Sequence, residues 1–181
     1  MTEIIDKLRS AIESIEAQYH RLIILVNCED AGKQDVLDKW EYSLEIKPIN
    51  LNLELSSRLL EFSIKQRPLK VVEIMEELIE AMPSPVILDK LDILFEPSLQ
   101  TDPLALLKSL SRNTTIIAFW SGSLKDSKLY YSEPGYPEYK SYPVEDFVAI
   151  DAKPQECFSE GEFSCFTKTS SSMNQSKAWF S

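Results

Sequence analysis

Long apolar segments are absent from this 181-residue sequence. No uninterrupted apolar run exceeds five residues, as in Leu22 to Val26, whereas a helix needs about 20 apolar residues to cross a bilayer. The N-terminus, Met1-Thr2-Glu3, does not begin with the basic region and apolar stretch of a secretory signal. These absences predict a soluble protein of the cytoplasm that does not bind membranes.

Cysteine, histidine and glycine are scarce, and the scarcity of each argues against a class of functional site. Three cysteines and one histidine show no metal-ligand spacing, and an odd cysteine count favours a reducing compartment over a disulfide framework. His20 has no Ser-His-Asp or Cys-His arrangement around it, so a nucleophilic hydrolase is not indicated. With four glycines in the chain, no second glycine-rich loop competes with the one described below.

Basic residues are outnumbered, with 19 of them against 29 acidic residues and a net charge of -10. Nonspecific binding to nucleic acid or to an anionic membrane needs a basic face, so direct DNA binding is the least favoured function. The length and the ordinary proportions of 44% hydrophobic and 27% charged residues predict one compact globular domain.

Strand-like and helix-like patterns alternate along the chain. Helical spacing of apolar residues predicts helices over 4–15, 55–64, 69–82 and 103–111, and over a segment that includes Val36, Leu37 and Trp40. Short runs rich in branched residues predict strands at 22–26, 46–51, 86–89 and 114–120. This order predicts an α/β protein with a three-layer fold, a mostly parallel sheet and helices on both faces.

The residue composition changes after Trp120. Turn residues and tyrosines from Ser121 to Tyr142 predict a hairpin or irregular lobe, and Phe147 to Ile150 predicts a last strand of the sheet. We assign residues 1–150 to one domain. The Ser-rich segment 151–181 has no clear period and is expected to be poorly ordered or loosely docked.

The segment 27–34 occupies the position of a phosphate-binding loop between the first strand and a helical pattern. It reads Asn27, Cys28, Glu29, Asp30, Ala31, Gly32, Lys33 and Gln34, against the Walker A pattern G-x-x-x-x-G-K-[ST]. In such a loop, inward-facing N–H groups and the lysine bind phosphate oxygens. We therefore predict that residues 27–34 bind the phosphates of ATP, with Lys33 contacting the β and γ oxygens.

Several positions depart from that pattern. Asn27 replaces the first glycine, although asparagine tolerates a positive φ at lower cost than most residues. Gln34 replaces the hydroxyl residue that binds Mg²⁺, and Glu29 and Asp30 would repel phosphate unless they point outward. These departures predict that hydrolysis suffers more than binding. The alternative, in which residues 31–33 form a simple strand-to-helix turn, remains open.

Three further residues are candidates for catalysis. Asp89 ends a predicted strand, where a Walker B carboxylate holds Mg²⁺, or it caps the turn that follows. Position 90 is a lysine rather than a water-activating glutamate, which leaves Asp92 as the nearest substitute. Arg112 either contacts a nucleotide in a neighbouring subunit as an arginine finger or complements the C-terminus of a helix. Asp89 and Gln34 are the candidate Mg²⁺ ligands.

An ordered set of segments between about residues 15 and 150 resembles the BrxF family, the P-loop-containing component of type 3 BREX phage-exclusion systems. The segments are Ile49–Ser56, Arg58–Leu60, Lys65–Leu69, Leu88–Asp89, Ile93–Phe95, Asp102–Leu104, Leu110–Asn113, Trp120–Gly122 and Glu133–Tyr139. The resemblance implies a small P-loop NTPase-like protein of antiviral defence. Its implied partners are the other BREX proteins, including an ATPase, a DNA methyltransferase and an alkaline-phosphatase-like protein.

Carried over by position, the resemblance puts the phosphate loop at 27–34 and the Walker B aspartate at Asp89. Family members usually have glycine first in the loop and Ser or Thr after the lysine, unlike Asn27 and Gln34 here. The first hypothesis is therefore a subunit that binds ATP and Mg²⁺ with weak or no hydrolysis. The second is a pseudo-NTPase scaffold that binds no nucleotide, and a homo-oligomer is compatible with either.

Overall fold

The structure is a computed structural model that describes residues 2–28, 38 and 46–152. Within these ranges, the α-helices with described bounds are α1 (Thr2–Ile15), α2 (Leu51–Leu59), α3 (Arg67–Glu80) and α4 (Pro103–Leu110). The eight strands are β1 (Leu22–Val26), β2 (Ile49–Asn50), β3 (Val86–Asp89), β4 (Ile116–Trp120), β5 (Gly122–Lys125), β6 (Lys128–Tyr131), β7 (Lys140–Pro143) and β8 (Val148–Asp151). Two short 3-10 helices, Leu91–Phe95 and Pro97–Leu99, connect β3 to α4.

A five-stranded sheet in the order β2-β3-β4-β1-β8 forms the centre of the molecule. All four strand pairings are parallel. Every residue of β1 and of β4 is buried, as expected for central strands covered on both faces. The predicted α/β fold with a mostly parallel sheet is confirmed at this level.

The two faces of the sheet are covered by different helices. Alternate residues of β1, such as Ile24, pack in one apolar cluster with the buried sides of α2, α3 and α4. The intervening residues, such as Leu25, pack with Leu8 and Ile15 of α1 and with Ile46. The period of two along each strand thus divides the core into two halves.

The connections that leave the neighbouring strands β1 and β4 run in opposite directions across the sheet. From β1 the chain passes to β2 at one edge, returns through β3 to β4, and then passes β1 to form β8 at the other edge. Connections that run in opposite directions lie on opposite faces when both are right-handed. The carboxyl ends of β1 and β4 therefore flank a topological switch point.

A second, antiparallel sheet of β5, β6 and β7 follows β4 directly. The ring of Tyr131 stacks on Phe95, with centroids 3.4 Å apart, and Trp120 meets Phe95 edge-on at 5.0 Å. Tyr142 also contacts Trp120 edge-on. The segment that we predicted as a hairpin or irregular lobe is thus a regular three-stranded sheet, attached through aromatic side chains.

Several predicted boundaries were wrong. The helix predicted at 55–64 is α2, which begins at Leu51 because Asn50 caps it: the Asn50 Oδ1 atom accepts a hydrogen bond from the Leu53 N–H at 3.1 Å. The preceding strand is accordingly only β2, not 46–51. At the other end, β8 extends to Asp151, one residue beyond the predicted last strand, and Ala152 is buried.

Some predictions fall on residues that the structure does not describe. The helical pattern through Val36, Leu37 and Trp40 lies outside the described residues, and so does the segment 153–181. Within the described ranges, no helix has both the length and the apolar composition that crossing a membrane requires.

Candidate functional site

All five strands of the parallel sheet end at the same edge, which we call the carboxyl edge. Asn27 and Cys28 follow β1, Asp89 ends β3, Ser121 follows β4 and Asp151 ends β8. Since adjacent strands lie about 4.8 Å apart, the backbones of Asn27 and Asp89, with β4 between their strands, are separated by about 10 Å across the sheet. These residues therefore lie within reach of one another along a single edge of the sheet.

Asn27 begins the predicted loop in an unusual backbone conformation. Its φ is 54°, in the left-handed region that favours glycine and that asparagine tolerates better than most other residues. The half-buried Asn27 side chain donates a hydrogen bond from Nδ2 to Oδ1 of Asp151 at 3.0 Å. Cys28 is half-buried and packs against the cluster under α1. The chain therefore turns sharply where the first Walker A residue is expected.

The rest of the predicted loop, Glu29, Asp30, Ala31, Gly32, Lys33 and Gln34, lies outside the described residues. The phosphate-binding role of this segment and the Mg²⁺ role of Gln34 stay predictions.

Asp89 is half-buried at the end of β3. Its Oδ1 atom accepts a hydrogen bond from the Lys90 N–H at 2.6 Å, and Lys90 has a φ of 55°. The next turn is fixed by Asn52, whose N–H donates to the Lys90 carbonyl at 3.1 Å and whose Oδ1 accepts from the Ile93 N–H at 2.8 Å. Asp89 thus takes part in the turn that follows β3, and its role as a Walker B carboxylate stays a prediction.

Asp92 is tied to the small antiparallel sheet. Its Oδ1 atom accepts a hydrogen bond from the Tyr131 hydroxyl at 3.2 Å. Burial raises the pKa of the Tyr131 hydroxyl, and the negative charge of Asp92 raises it further, so this hydroxyl remains a donor at neutral pH. The contact holds Asp92 toward β6 in the geometry described here.

Arg112 lies at the opposite edge of the sheet, in the turn before β4. Its guanidinium carbon is 5.1 Å from the centroid of the Tyr19 ring, and its carbonyl accepts a hydrogen bond from Nη2 of Arg21 at 3.0 Å. The five residues of β4 rise by about 3.3 Å each, so roughly 16 Å separates the two edges. The structure does not bring Arg112 together with Asp89 in one chain.

His20 also lies at this opposite edge. Its Nδ1 atom is 2.8 Å from the carbonyl oxygen of Lys108, which lies in the last turn of α4. This contact at a helix end agrees with a structural role for the histidine.

Two residues at or near the site were missed by the sequence analysis. Asp151 had been assigned to the tail. The hydrogen bond between Tyr131 and Asp92 cannot be predicted from the spacing of residues in the sequence. Within the described ranges, no three His, Cys, Asp or Glu side chains form a group that could hold a metal ion. Gln34, the other predicted Mg²⁺ ligand, lies outside these ranges.

No protein-family model, curated protein or solved structure matches the chain. The resemblance to the BrxF family therefore stays a prediction based on the segments quoted above.

Proposed function

We propose that the protein is a P-loop nucleotide-binding subunit that binds ATP and Mg²⁺ at the carboxyl edge. One observation carries the proposal: Asn27, which begins the predicted loop, and Asp89 leave the sheet at the same edge, with β4 between their strands. In open parallel sheets, ligands bind outside the carboxyl ends of the strands where the crossover direction reverses. The connections that leave the neighbouring strands β1 and β4 run in opposite directions.

The conformation of Asn27 supports the same proposal. A phosphate-binding loop must turn directly after its strand so that successive N–H groups face the anion. The φ of 54° at Asn27 is compatible with such a turn, although the residue is not glycine. In this proposal the amides of residues 28–34 and the Lys33 ammonium bind the phosphates.

Asp89 fits a role in holding Mg²⁺. It supplies a half-buried carboxylate at the end of a strand separated from β1 only by β4, and carboxylate oxygen is a preferred ligand of Mg²⁺. Bound Mg²⁺ would neutralise phosphate charge. Gln34 is the second candidate ligand.

Weak or absent hydrolysis is part of the proposal. Lys90 occupies the position after Asp89 where a water-activating glutamate would stand, and the carboxylate of Asp92 is engaged by Tyr131. ATP binding without hydrolysis would act by favouring one conformation of the protein for binding to a partner. On the resemblance to BrxF, we propose that these partners are the other proteins of a BREX antiviral complex.

A scaffold that binds no nucleotide is the second candidate. It is favoured by the contacts that the site makes within the protein: Asn27 donates to Asp151, and Asp89 accepts from the Lys90 N–H. A scaffold would restrict phage normally when Lys33→Ala and Asp89→Ala are combined, provided that the variant folds. Loss of restriction in the folded variant would reject it.

A thermal-shift titration with ATP tests the proposal directly. A ligand at 100 times its Kd stabilises a protein by about 2.7 kcal/mol, which raises the Tm of a domain of this size by about 5–10 °C. We expect this shift for the wild type and its loss for Lys33→Ala, and a smaller Mg²⁺-dependent increment for Asp89→Ala. Lys65→Ala, at an exposed position between α2 and α3, is the matched control. No shift for the wild type, or equal shifts for the wild type and Lys33→Ala, would contradict nucleotide binding.

A further inference from the structure

We propose that Asp151 is a positioning residue that holds Asn27 in the left-handed conformation from which the phosphate-binding loop begins. This inference rests on the proposed function, since the consequence of the contact is read through nucleotide binding.

Two consecutive residues fasten the end of β8 to the end of β1. β8 pairs with β1 in parallel, and Val26 is level with Asp151. The N–H of Ala152 then donates to the carbonyl of Val26 at 2.9 Å, and the side chain of Asp151 accepts from Nδ2 of Asn27 at 3.0 Å. The residue that begins the loop is thus bound to a strand whose backbone is itself fixed.

The backbone at residue 27 explains why this contact is useful. A left-handed φ costs most L-residues about 1–2 kcal/mol, and glycine avoids that cost because it has no Cβ. Asn27 has a Cβ and a φ of 54°, so an additional contact that favours this conformation compensates for the missing glycine. The role of Asp151 therefore depends on residue 27 being an asparagine.

The charge of Asp151 should have the opposite effect on nucleotide affinity from its hydrogen bond, and substitutions can separate the two effects. A carboxylate beside a phosphate site repels the anion, whereas its hydrogen bond to Asn27 favours the conformation of the residue that begins the predicted loop. Asp151→Asn removes the charge and keeps a side-chain oxygen that accepts from Asn27. Asp151→Ala removes both the charge and the acceptor.

The test is a double-mutant cycle on the full chain, with the Kd for ATP in the presence of Mg²⁺ measured by titration calorimetry. We expect Asp151→Ala to weaken binding by about twofold to tenfold, the range that corresponds to one net hydrogen bond. We expect Asp151→Asn to bind at least as tightly as the wild type. In the Asn27→Gly background, where the side-chain hydrogen bond to Asp151 cannot form, Asp151→Ala should no longer weaken binding, and removal of the charge should leave the Kd equal or lower.

Each alternative explanation predicts a different outcome of the double-mutant cycle. Equal tightening by Asp151→Ala and Asp151→Asn would show that only the charge matters, and equal weakening by Asp151→Ala in both backgrounds would show a role independent of Asn27. Either result overturns the inference while leaving nucleotide binding intact. Absence of binding by the folded wild type would overturn the proposed function and this inference together. If Asp151→Ala fails to fold, Asp151→Ser, whose hydroxyl ends one bond short of the aspartate oxygens, replaces it in the cycle.

Discussion

Replacing Gly122 with alanine tests how the small antiparallel sheet is attached to the parallel sheet. Gly122 begins β5, two residues after the end of β4. A Cβ at this position would overlap the carbonyl oxygen of Tyr130 and lie 2.6 Å from Nε1 of Trp120. These two atoms form a hydrogen bond at 2.8 Å, so the added methyl group would disrupt a bond that joins the two sheets.

The expected cost follows from these contacts. Forcing an extra methyl group into a packed site costs about 1–3 kcal/mol, and losing the hydrogen bond of the nearly buried Trp120 indole adds about 1 kcal/mol. A total of about 3 kcal/mol lowers the Tm of a domain of this size by about 6–12 °C. Since Trp120 contacts Phe95 and Tyr142, the near-UV circular dichroism of the aromatic side chains should also change.

Gly135→Ala is the matched control. Gly135 has a φ of 107°, and no atom lies within 4 Å of a Cβ built there, so alanine meets backbone strain but no overlap. We expect a loss of about 1–2 kcal/mol with an unchanged near-UV spectrum. If Gly122→Ala melted like the wild type with the same spectrum, or if Gly135→Ala caused the larger loss, the close approach at Gly122 would not be a required feature of the fold.

Two further predictions concern stability. Burial raises the pKa of the hydroxyls of Tyr131 and Tyr142, with Asp92 and Asp102 as secondary causes; because unfolded tyrosines ionise first, the resulting stability is present below about pH 10 and is lost above it. In urea denaturation across this range, the combined variant Tyr131→Phe and Tyr142→Phe should lose stability less steeply with rising pH than the wild type, and equal slopes would contradict this. Ile24→Ala, at a fully buried position in β1, should cost about 2–5 kcal/mol. The control Val72→Ala, at a position that is 39% exposed, should cost about 0.5 kcal/mol or less, and similar losses for the two would refute the core assignment.

The central strands could be predicted because their burial is uniform. A short run such as Leu22–Val26 is apolar at every position because both faces of a central parallel strand are covered, and the run stands out against the helical period around it. The helix α2 was misplaced because its exposed side is also apolar. Leu53 is 65% exposed, and Leu60, which directly follows α2, is 74% exposed, so the sequence pattern hides the buried stripe of Leu51, Leu55 and Leu59.

In the candidate site, too, the features that depend on local sequence could be predicted and those that depend on distant residues could not. The positions of Asn27 and Asp89 at one edge follow from local patterns, because parallel strands share their direction. The partner of Asn27 is 124 positions away, and Tyr131 is 39 positions from Asp92. Such contacts depend on strand order and on the packing of the small sheet, which no local period encodes.

The position of Arg112 limits what this residue can do in the proposed function. Arg112 directly follows Ser111, whose carbonyl accepts a hydrogen bond from the Arg21 N–H at 3.0 Å. The carbonyl of Arg21, just before β1, accepts from the Ile116 N–H at 2.8 Å. A nucleotide at the carboxyl edge is a full strand length away, so Arg112 could contact it only across an interface between two copies. An effect of Arg112→Ala on hydrolysis would therefore be evidence for assembly, whereas a loss of stability in the isolated chain would reflect the contact with Tyr19. Hydrolysis and stability must be measured separately, because the substitution that tests the predicted contact with a nucleotide also removes the contact with Tyr19.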